Sequence, residues 1–214
     1  MTGSAAHPVF ARVWARASAH VGSERQRREL LAGLDGRVLE VGAGDGRNFA
    51  LYPDSVGAVL AVEPEPYLRR LAQRAAARAR VPVDVRDGTA ETLPAELGAF
   101  DAVVASLVLC TVPDQAAALA ALHRVTAPGG ELRFFEHVRA GHPIGAAVQD
   151  RLDGWGIWPR LGAGCHLARD TVAAIASAGF AIERLRPIPS GPGGVGIPFV
   201  LGSARRAAEP ASQF

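Results

Sequence analysis

The stretch from Arg37 to Phe49, Arg-Val-Leu-Glu-Val-Gly-Ala-Gly-Asp-Gly-Arg-Asn-Phe, restricts the fold more than any other part of this chain. Val38, Leu39 and Val41 form a short apolar run suited to a strand covered on both faces, and glycines follow directly at 42, 44 and 46. A strand therefore runs into a turn whose backbone can approach a ligand with no Cβ in the way. A helix expected to begin near Asp45 would aim its free N–H groups into the same crevice. A nucleotide-like cofactor belongs there.

The spacing narrows the cofactor. A dinucleotide fingerprint, G-x-G-x-x-G, needs glycine at 47, where this chain has Arg47. Glu40, two residues before Gly42, brings a carboxylate towards a site where a pyrophosphate would be repelled and an amino-acid ammonium welcomed. Glu63 ends the next apolar run, Ala58 to Val62, about 20 residues past the glycines, where a carboxylate accepting from ribose hydroxyls is expected.

The remaining pattern alternates strands and helices. Strands are expected over Val81–Val85, Ala99–Ala105, Glu131–Val138, Phe180–Arg186 and Gly196–Leu201, and helices over Gln115–Thr126, Ile144–Leu152 and Asp170–Ala178. A short helix near Asn48–Leu51 follows the glycine turn, another follows Pro64 and Pro66, and Pro128-Gly129-Gly130 stops the helix before the fifth strand. Two helices lead the chain, one carrying Val9, Phe10, Val13 and Trp14, the second starting at Ser23. Residues 139–169, with Gly141, Pro143, Trp155, Trp158, Pro159, Gly162 and Gly164, break the regular alternation, and long irregular segments in compact domains are usually functional.

At 214 residues the chain suits one α/β domain with additions. The expected division is N-terminal helices over 1–34, a core over 35–203 with an acceptor-side insertion at 139–169, and a disordered tail over 204–214. Net charge is +2, and every basic side chain apart from histidine is arginine, so Schiff-base and P-loop lysine chemistry is excluded. The arginines are scattered along helices, which argues against a nucleic-acid partner. Cys110 and Cys165 make neither a disulfide framework nor a C-x-x-C pair, so the expectation is a reduced cytoplasmic location and no metal. The uncharged run Ala102–Pro113 is too short to span a bilayer, so no integral membrane segment is expected.

Glu40 to Gly46 and Glu63 resemble the first two motifs of the class I S-adenosylmethionine-dependent methyltransferases. The Phe-Asp-Ala-Val-Val-Ala-Ser strand (Phe100–Ser106) and Arg-Val-Thr-Ala-Pro-Gly-Gly (Arg124–Gly130) follow in that family's order. The resemblance implies a Rossmann-like α/β fold: a seven-stranded, mostly parallel sheet, helices on both faces and an antiparallel C-terminal strand. It implies S-adenosyl-L-methionine as cofactor, held by Glu40, Gly42, Ala43, Gly44, Gly46, Asn48, Glu63, Pro64, Ala90 and Ser106. The loop Gly88–Pro94 stands where such proteins hold adenine, with Thr89 where many have aspartate; Ala90 backbone or Asp87 is the expected substitute.

Transfer of a methyl from a sulfonium requires alignment and exclusion of water, plus a proton acceptor when the nucleophile is a thiol, amine or phenol. The groups within reach are Glu136 with His137, and Cys165 with His166, each equally readable as a hydrogen-bonded structural residue. Three stretches, Ser106–Cys110, Phe135–Val138 and Gly164–Thr171, resemble the thiol S-methyltransferases of the methyltransferase-like group. That implies a small, fairly apolar acceptor, a thiol preferred, with His137, His166 and Glu136 as catalytic candidates. Trp155 and Trp158, clustered in the broken 139–169 segment, are expected to line its pocket with Trp14 and Cys165. A quinone-like or phospholipid acceptor, or a cofactor-binding protein without catalysis, are the competing readings.

Overall fold

A computed structural model describes residues 23–162, 164–188 and 197–208. The expected helix over Val9–Trp14, Trp14 itself and the Pro189–Gly194 connection lie outside the described residues, as do residues 209–214.

One seven-stranded sheet organises the domain: β1 (Gly36–Val41), β2 (Val56–Val62), β3 (Val83–Arg86), β4 (Phe100–Ser106), β5 (Thr126–His137), β6 (Phe180–Ile188) and β7 (Phe199–Arg206), in the order β3-β2-β1-β4-β5-β7-β6. Pairing is parallel from β3 through β5, and β7 runs antiparallel to both β5 and β6. This is the Rossmann-like arrangement expected. Strand order reverses between β1 and β4, so the loops leaving these strands diverge and open a crevice at their carboxyl ends.

Alternation along the central strands explains both covered faces. Leu39 and Val41 of β1, with Val103 and Ala105 of β4, pack with Leu119 and Leu122 of α3 (Gln115–Val125) and Ile175 of α6 (Thr171–Ser177). Val38, Ala102 and Val104 face the other way, among Leu30 and Leu31 of α1 (Glu24–Leu31), Ala72 of α2 (Pro66–Ala76), Phe49 and Tyr52. Leu30 and Leu31 are fully buried; each stabilises the fold by about 1.5–3 kcal/mol on leaving water. Helix starts follow local chemistry: Ser23 and Gln26 form a capping box on α1, Asp114 accepts from Ala117 N on α3, and Asp170 accepts from Ala173 N on α6.

Two expectations are corrected by tertiary contacts. Pro128-Gly129-Gly130 does not stop α3, which already ends at Val125, where the Thr126 hydroxyl donates to Leu122 O (2.7 Å). The triplet lies inside β5, where the register with β4 shifts between Phe100 and Ala102, and a Cβ at Gly130 would sit 2.9 Å from both Ala127 O and Asp101 O. Residues 204–206, assigned from sequence to a tail, are the end of β7. Arg206 Nη1 donates to the carbonyls of His123, Arg124 and Thr126 at 2.6–3.1 Å, satisfying acceptors that the end of α3 leaves open, and so anchors the strand.

Candidate active site

The turn after β1 is built from left-handed glycines. Gly42, Gly44 and Gly46 have φ of 60°, 60° and 81°, which breaks helical hydrogen bonding, so the helix expected from Asp45 is replaced by irregular turns and one 3-10 turn, Phe49–Leu51. A Cβ at Gly42 would fall under 3.0 Å from the Val108 side chain, and one at Gly46 would lie 2.8 Å from Ala75 Cβ and the Phe49 ring. Beside Gly44 nothing among the described residues lies within 4 Å. The outer glycines therefore permit close packing, while the middle one borders open space.

Glu63, 5% exposed, ties this turn to the end of β2. Its Oε2 accepts from Gly44 N (2.8 Å) and its Oε1 from Glu65 N (2.9 Å). Burial raises its pKa, and the two backbone donors oppose that rise. A carboxylate offers about four acceptor sites, so after these two bonds it can still accept from a pair of ribose hydroxyls.

Glu40 and Asn48, expected at the cofactor, face inward instead. Both are 2% exposed; Asn48 Nδ2 donates to Glu40 Oε1 (2.8 Å), the Tyr52 hydroxyl donates to Glu40 Oε2 (2.7 Å), and Arg27 Nη1 donates to Asn48 Oδ1 (3.0 Å). The reason is strand alternation: Glu40 lies between Leu39 and Val41 and takes the opposite face, beneath α1. Desolvation pushes its pKa up to about 7, against the two hydrogen bonds and the nearby Arg27. Its role in this structure is to brace the turn, and Tyr52, the partner that completes the brace, carries no motif that would have marked it.

At the end of β3 lies a cavity of about 170 Å³ bordered by Leu60, Val62, Gly88, Thr89, Leu93 and Leu97. Arg86, Asp87 and Thr92 add polar groups to this lining. Ala90 is not among its lining residues and is buried in the core at 3% exposure. Asp87 borders the cavity with its carboxylate held by Arg69 at 2.9 Å, and Arg69 Nη1 also donates to the carbonyls of Glu63 and Pro64.

The other side of the crevice forms at the ends of β4 and β5. Leu107, just past β4, has φ 62°, a conformation that costs a non-glycine residue of order 1–3 kcal/mol and persists only where surroundings enforce it. Enforcement comes from Glu136, fully buried, whose oxygens accept from the amides of Val108 (2.9 Å), Leu109 (3.0 Å) and Cys110 (3.2 Å). Burial lifts its pKa to about 7 despite these donors. Glu136 is thus corrected from a catalytic candidate to the group that shapes the 108–110 turn. Ser106 Oγ, expected at the cofactor, is buried without a hydrogen-bond partner among the described residues.

Of the two histidines, one lies inside the site. His137, 2% exposed at the end of β5, places Nδ1 3.3 Å from Cys165 Sγ, and its Nε2 is buried without a partner among the described residues. His166 donates its backbone N–H to Cys110 O (2.8 Å), but its ring is 39% exposed and stands 3.9 Å from Asp153, outside that pairing. Cys110, which the sequence reading left out of the site, joins His137 and Cys165: their ligating atoms all lie within 4.8 Å of one another. The protonated Cys110 thiol and the His137 ring together push the Cys165 thiol down to about 5, while Cys110 is pushed well up.

The insertion forms α4 (Pro143–Gly154) and α5 (Ile157–Leu161) and is fastened to the core by side chains. Asp153 accepts from the amides of Leu167 and Ala168, Gln149 accepts from Ala140 N, and Arg169 donates to Leu109 O and Val112 O. Trp158 is half-buried beside Cys165, whereas Trp155 is 66% exposed and is no part of the core.

Comparison with known proteins matches this architecture. A methyltransferase domain family matches residues 39–134. Thiol S-methyltransferase TMT1B of Mus musculus is 32% identical over 191 residues, covering 79% of this chain and 76% of that protein. A solved S-adenosylmethionine-dependent methyltransferase from Mesorhizobium loti superposes with TM-score 0.64 at 21% identity, covering 85% of this chain and 96% of the other. The N-methyltransferase NodS of Bradyrhizobium japonicum WM9, solved with S-adenosyl-L-homocysteine, gives TM-score 0.65 at 19% identity over 87% of this chain and 89% of that one. These structural likenesses speak to the fold.

Proposed function

The chain belongs to the class I S-adenosylmethionine-dependent methyltransferases, and from that premise we propose that its acceptor is a small, largely apolar thiol. One observation carries the choice of sulfur. The three separated stretches that resemble thiol S-methyltransferases, 106–110, 135–138 and 164–171, come together at the ends of β4 and β5 around Cys110, His137 and Cys165. The 32% identity to a protein named for thiol S-methylation extends over most of the chain and supports the same acceptor.

S-adenosylmethionine supplies a methyl group on an already activated sulfonium, so the protein's own work is binding, alignment and drying of the site. On this reading Glu63 accepts from the ribose hydroxyls with the lone pairs that Gly44 and Glu65 leave free. The cavity beside Leu60 and Val62 receives the adenine. Gly44 leaves room along the backbone, and the orphaned Ser106 hydroxyl faces cofactor or acceptor. Glu136 holds the 108–110 turn against Gly42, which sets the distance between the cofactor turn and the acceptor side. Trp158, beside Cys165, and Trp155 at the surface of the insertion offer apolar walls for the acceptor.

The test is a turnover screen with methyl-labelled donor across small thiols, phenols, amines and quinones. A labelled thioether from one or more apolar thiols, with the other classes inert, is the expected result. Turnover of phenols or quinones with no thiol methylated refutes the reading.

A further inference from the structure

Cys110, His137 and Cys165 come from three separate segments: the turn after β4, the last residue of β5 and the loop between α5 and α6. Cys110 and His137 are each 2% exposed, Cys165 is half-buried, and their donor atoms lie within 4.8 Å of one another, with Cys165 Sγ to His137 Nδ1 at 3.3 Å. Metal–sulfur bonds of about 2.3 Å and metal–nitrogen bonds of about 2.0–2.1 Å in tetrahedral geometry place ligand atoms roughly 3.5–3.8 Å apart. The trio needs only small side-chain adjustments to meet that spacing. We propose that Cys110, His137 and Cys165 bind a zinc ion, leaving one tetrahedral position open for the sulfur of the acceptor.

Chemistry and surroundings favour this ion and this vacancy. Two sulfurs and an imidazole are soft and borderline donors that suit zinc over magnesium or calcium, and two cysteines, one histidine and an open position make a known catalytic zinc set. Neighbouring carboxylates already hold backbone amides: Glu136 accepts from three and Asp153 from two. Sequence spacing hid the trio, because its members stand 27 and 28 residues apart.

The role of the open position rests on the thiol reading of the acceptor; the metal site itself does not. An acceptor R–SH entering that position binds through sulfur as its S–H bond breaks, and the proton passes to water. A lone pair on that sulfur then forms the S–CH3 bond, while the C–S bond to the donor breaks with its electron pair remaining on the donor sulfur. The product is a neutral thioether, a weaker ligand than a thiolate, which favours its release.

The full-length protein, stripped with a chelator and dialysed, is titrated with zinc against a chromophoric chelator and separately with cobalt(II). Expected are one equivalent of tightly bound zinc and a cobalt spectrum with thiolate charge-transfer and tetrahedral bands. Cys165→Ala and His137→Ala should each weaken zinc by more than about a hundredfold, since even loss of outer partners of a site costs about 10–100-fold. Their circular dichroism and S-adenosylmethionine affinity, measured alongside, report that they remain folded. Absence of stoichiometric zinc binding by the unaltered protein overturns the proposal, as does zinc affinity unchanged in folded Cys165→Ala. Adding a thiol substrate should change the cobalt charge-transfer bands; unchanged bands overturn the open-position role. Zinc held by the trio in a protein that methylates no thiol would uphold the metal site and refute the acceptor reading instead.

Discussion

Replacing Gly44 and Gly42 separately by alanine distinguishes a glycine kept for the ligand from one kept for the fold. Both have φ near 60°, so each alanine carries a left-handed penalty of about 1–2 kcal/mol. At Gly44 nothing among the described residues lies within 4 Å of the new methyl, so that penalty is the expected cost to the fold. At Gly42 the methyl also overlaps the Val108 side chain on the turn held by Glu136. Overpacking of this kind adds about 1–3 kcal/mol, for a total of roughly 2–5 kcal/mol. For a domain of this size 1 kcal/mol moves the melting temperature by about 2–4 °C, so Gly44→Ala should melt only modestly lower and Gly42→Ala distinctly lower. Binding should rank the other way relative to stability. The Gly44 methyl projects into the cradle and should weaken S-adenosylmethionine by more than about tenfold, or about 1.4 kcal/mol, while the protein stays folded. Differential scanning calorimetry and isothermal titration calorimetry at one temperature measure both quantities. Equal destabilisation by the two variants, or normal cofactor affinity in Gly44→Ala, refutes the division of roles.

Other substitutions probe the remaining parts. Glu63→Ala removes the acceptor proposed for the ribose hydroxyls and should weaken S-adenosylmethionine by about 2–4 kcal/mol in titration calorimetry; unchanged affinity would move the ribose elsewhere. Glu40, with its pKa raised from 4.5 to about 7, binds more protons folded than unfolded between those values. Its contribution to stability is therefore greatest below pH 4.5 and declines as pH rises through 7, by at most about 3 kcal/mol. Glu40→Gln should flatten that slope, and denaturant midpoints at pH 5 and pH 8 that shift in parallel for variant and parent would contradict it. Trp155, 66% exposed, should change stability by no more than about 0.5 kcal/mol on replacement by alanine. KM for the acceptor should rise in the same variant, and steady-state kinetics with unaltered KM for every active acceptor would remove the residue from the pocket.

Local pattern, together with the family resemblance its motifs carry, made the sheet and the glycine turn after β1 legible. Val38–Val41 followed by glycines at 42, 44 and 46, and the carboxylate closing the next strand, are features of short segments whose backbone geometry depends on neighbouring residues. The strand-and-helix order then leaves few ways to assemble a parallel sheet. What tertiary structure decided were the partners of residues far apart in the chain. Glu40 and Glu136 both read as active-site acids, yet one was claimed by Asn48 and Tyr52 and the other by the amides of Val108, Leu109 and Cys110. A carboxylate beside a strand end looks the same in sequence whether it meets a ligand or a backbone amide; only the fold around it settles which. The same holds for Cys110, His137 and Cys165, whose meeting depends on β4 and β5 lying side by side in parallel and on the loop after α5 folding back, with His166 N bonded to Cys110 O. No local spacing encodes that meeting, because it is made by sheet pairing and loop closure, interactions that act through space and not along the chain.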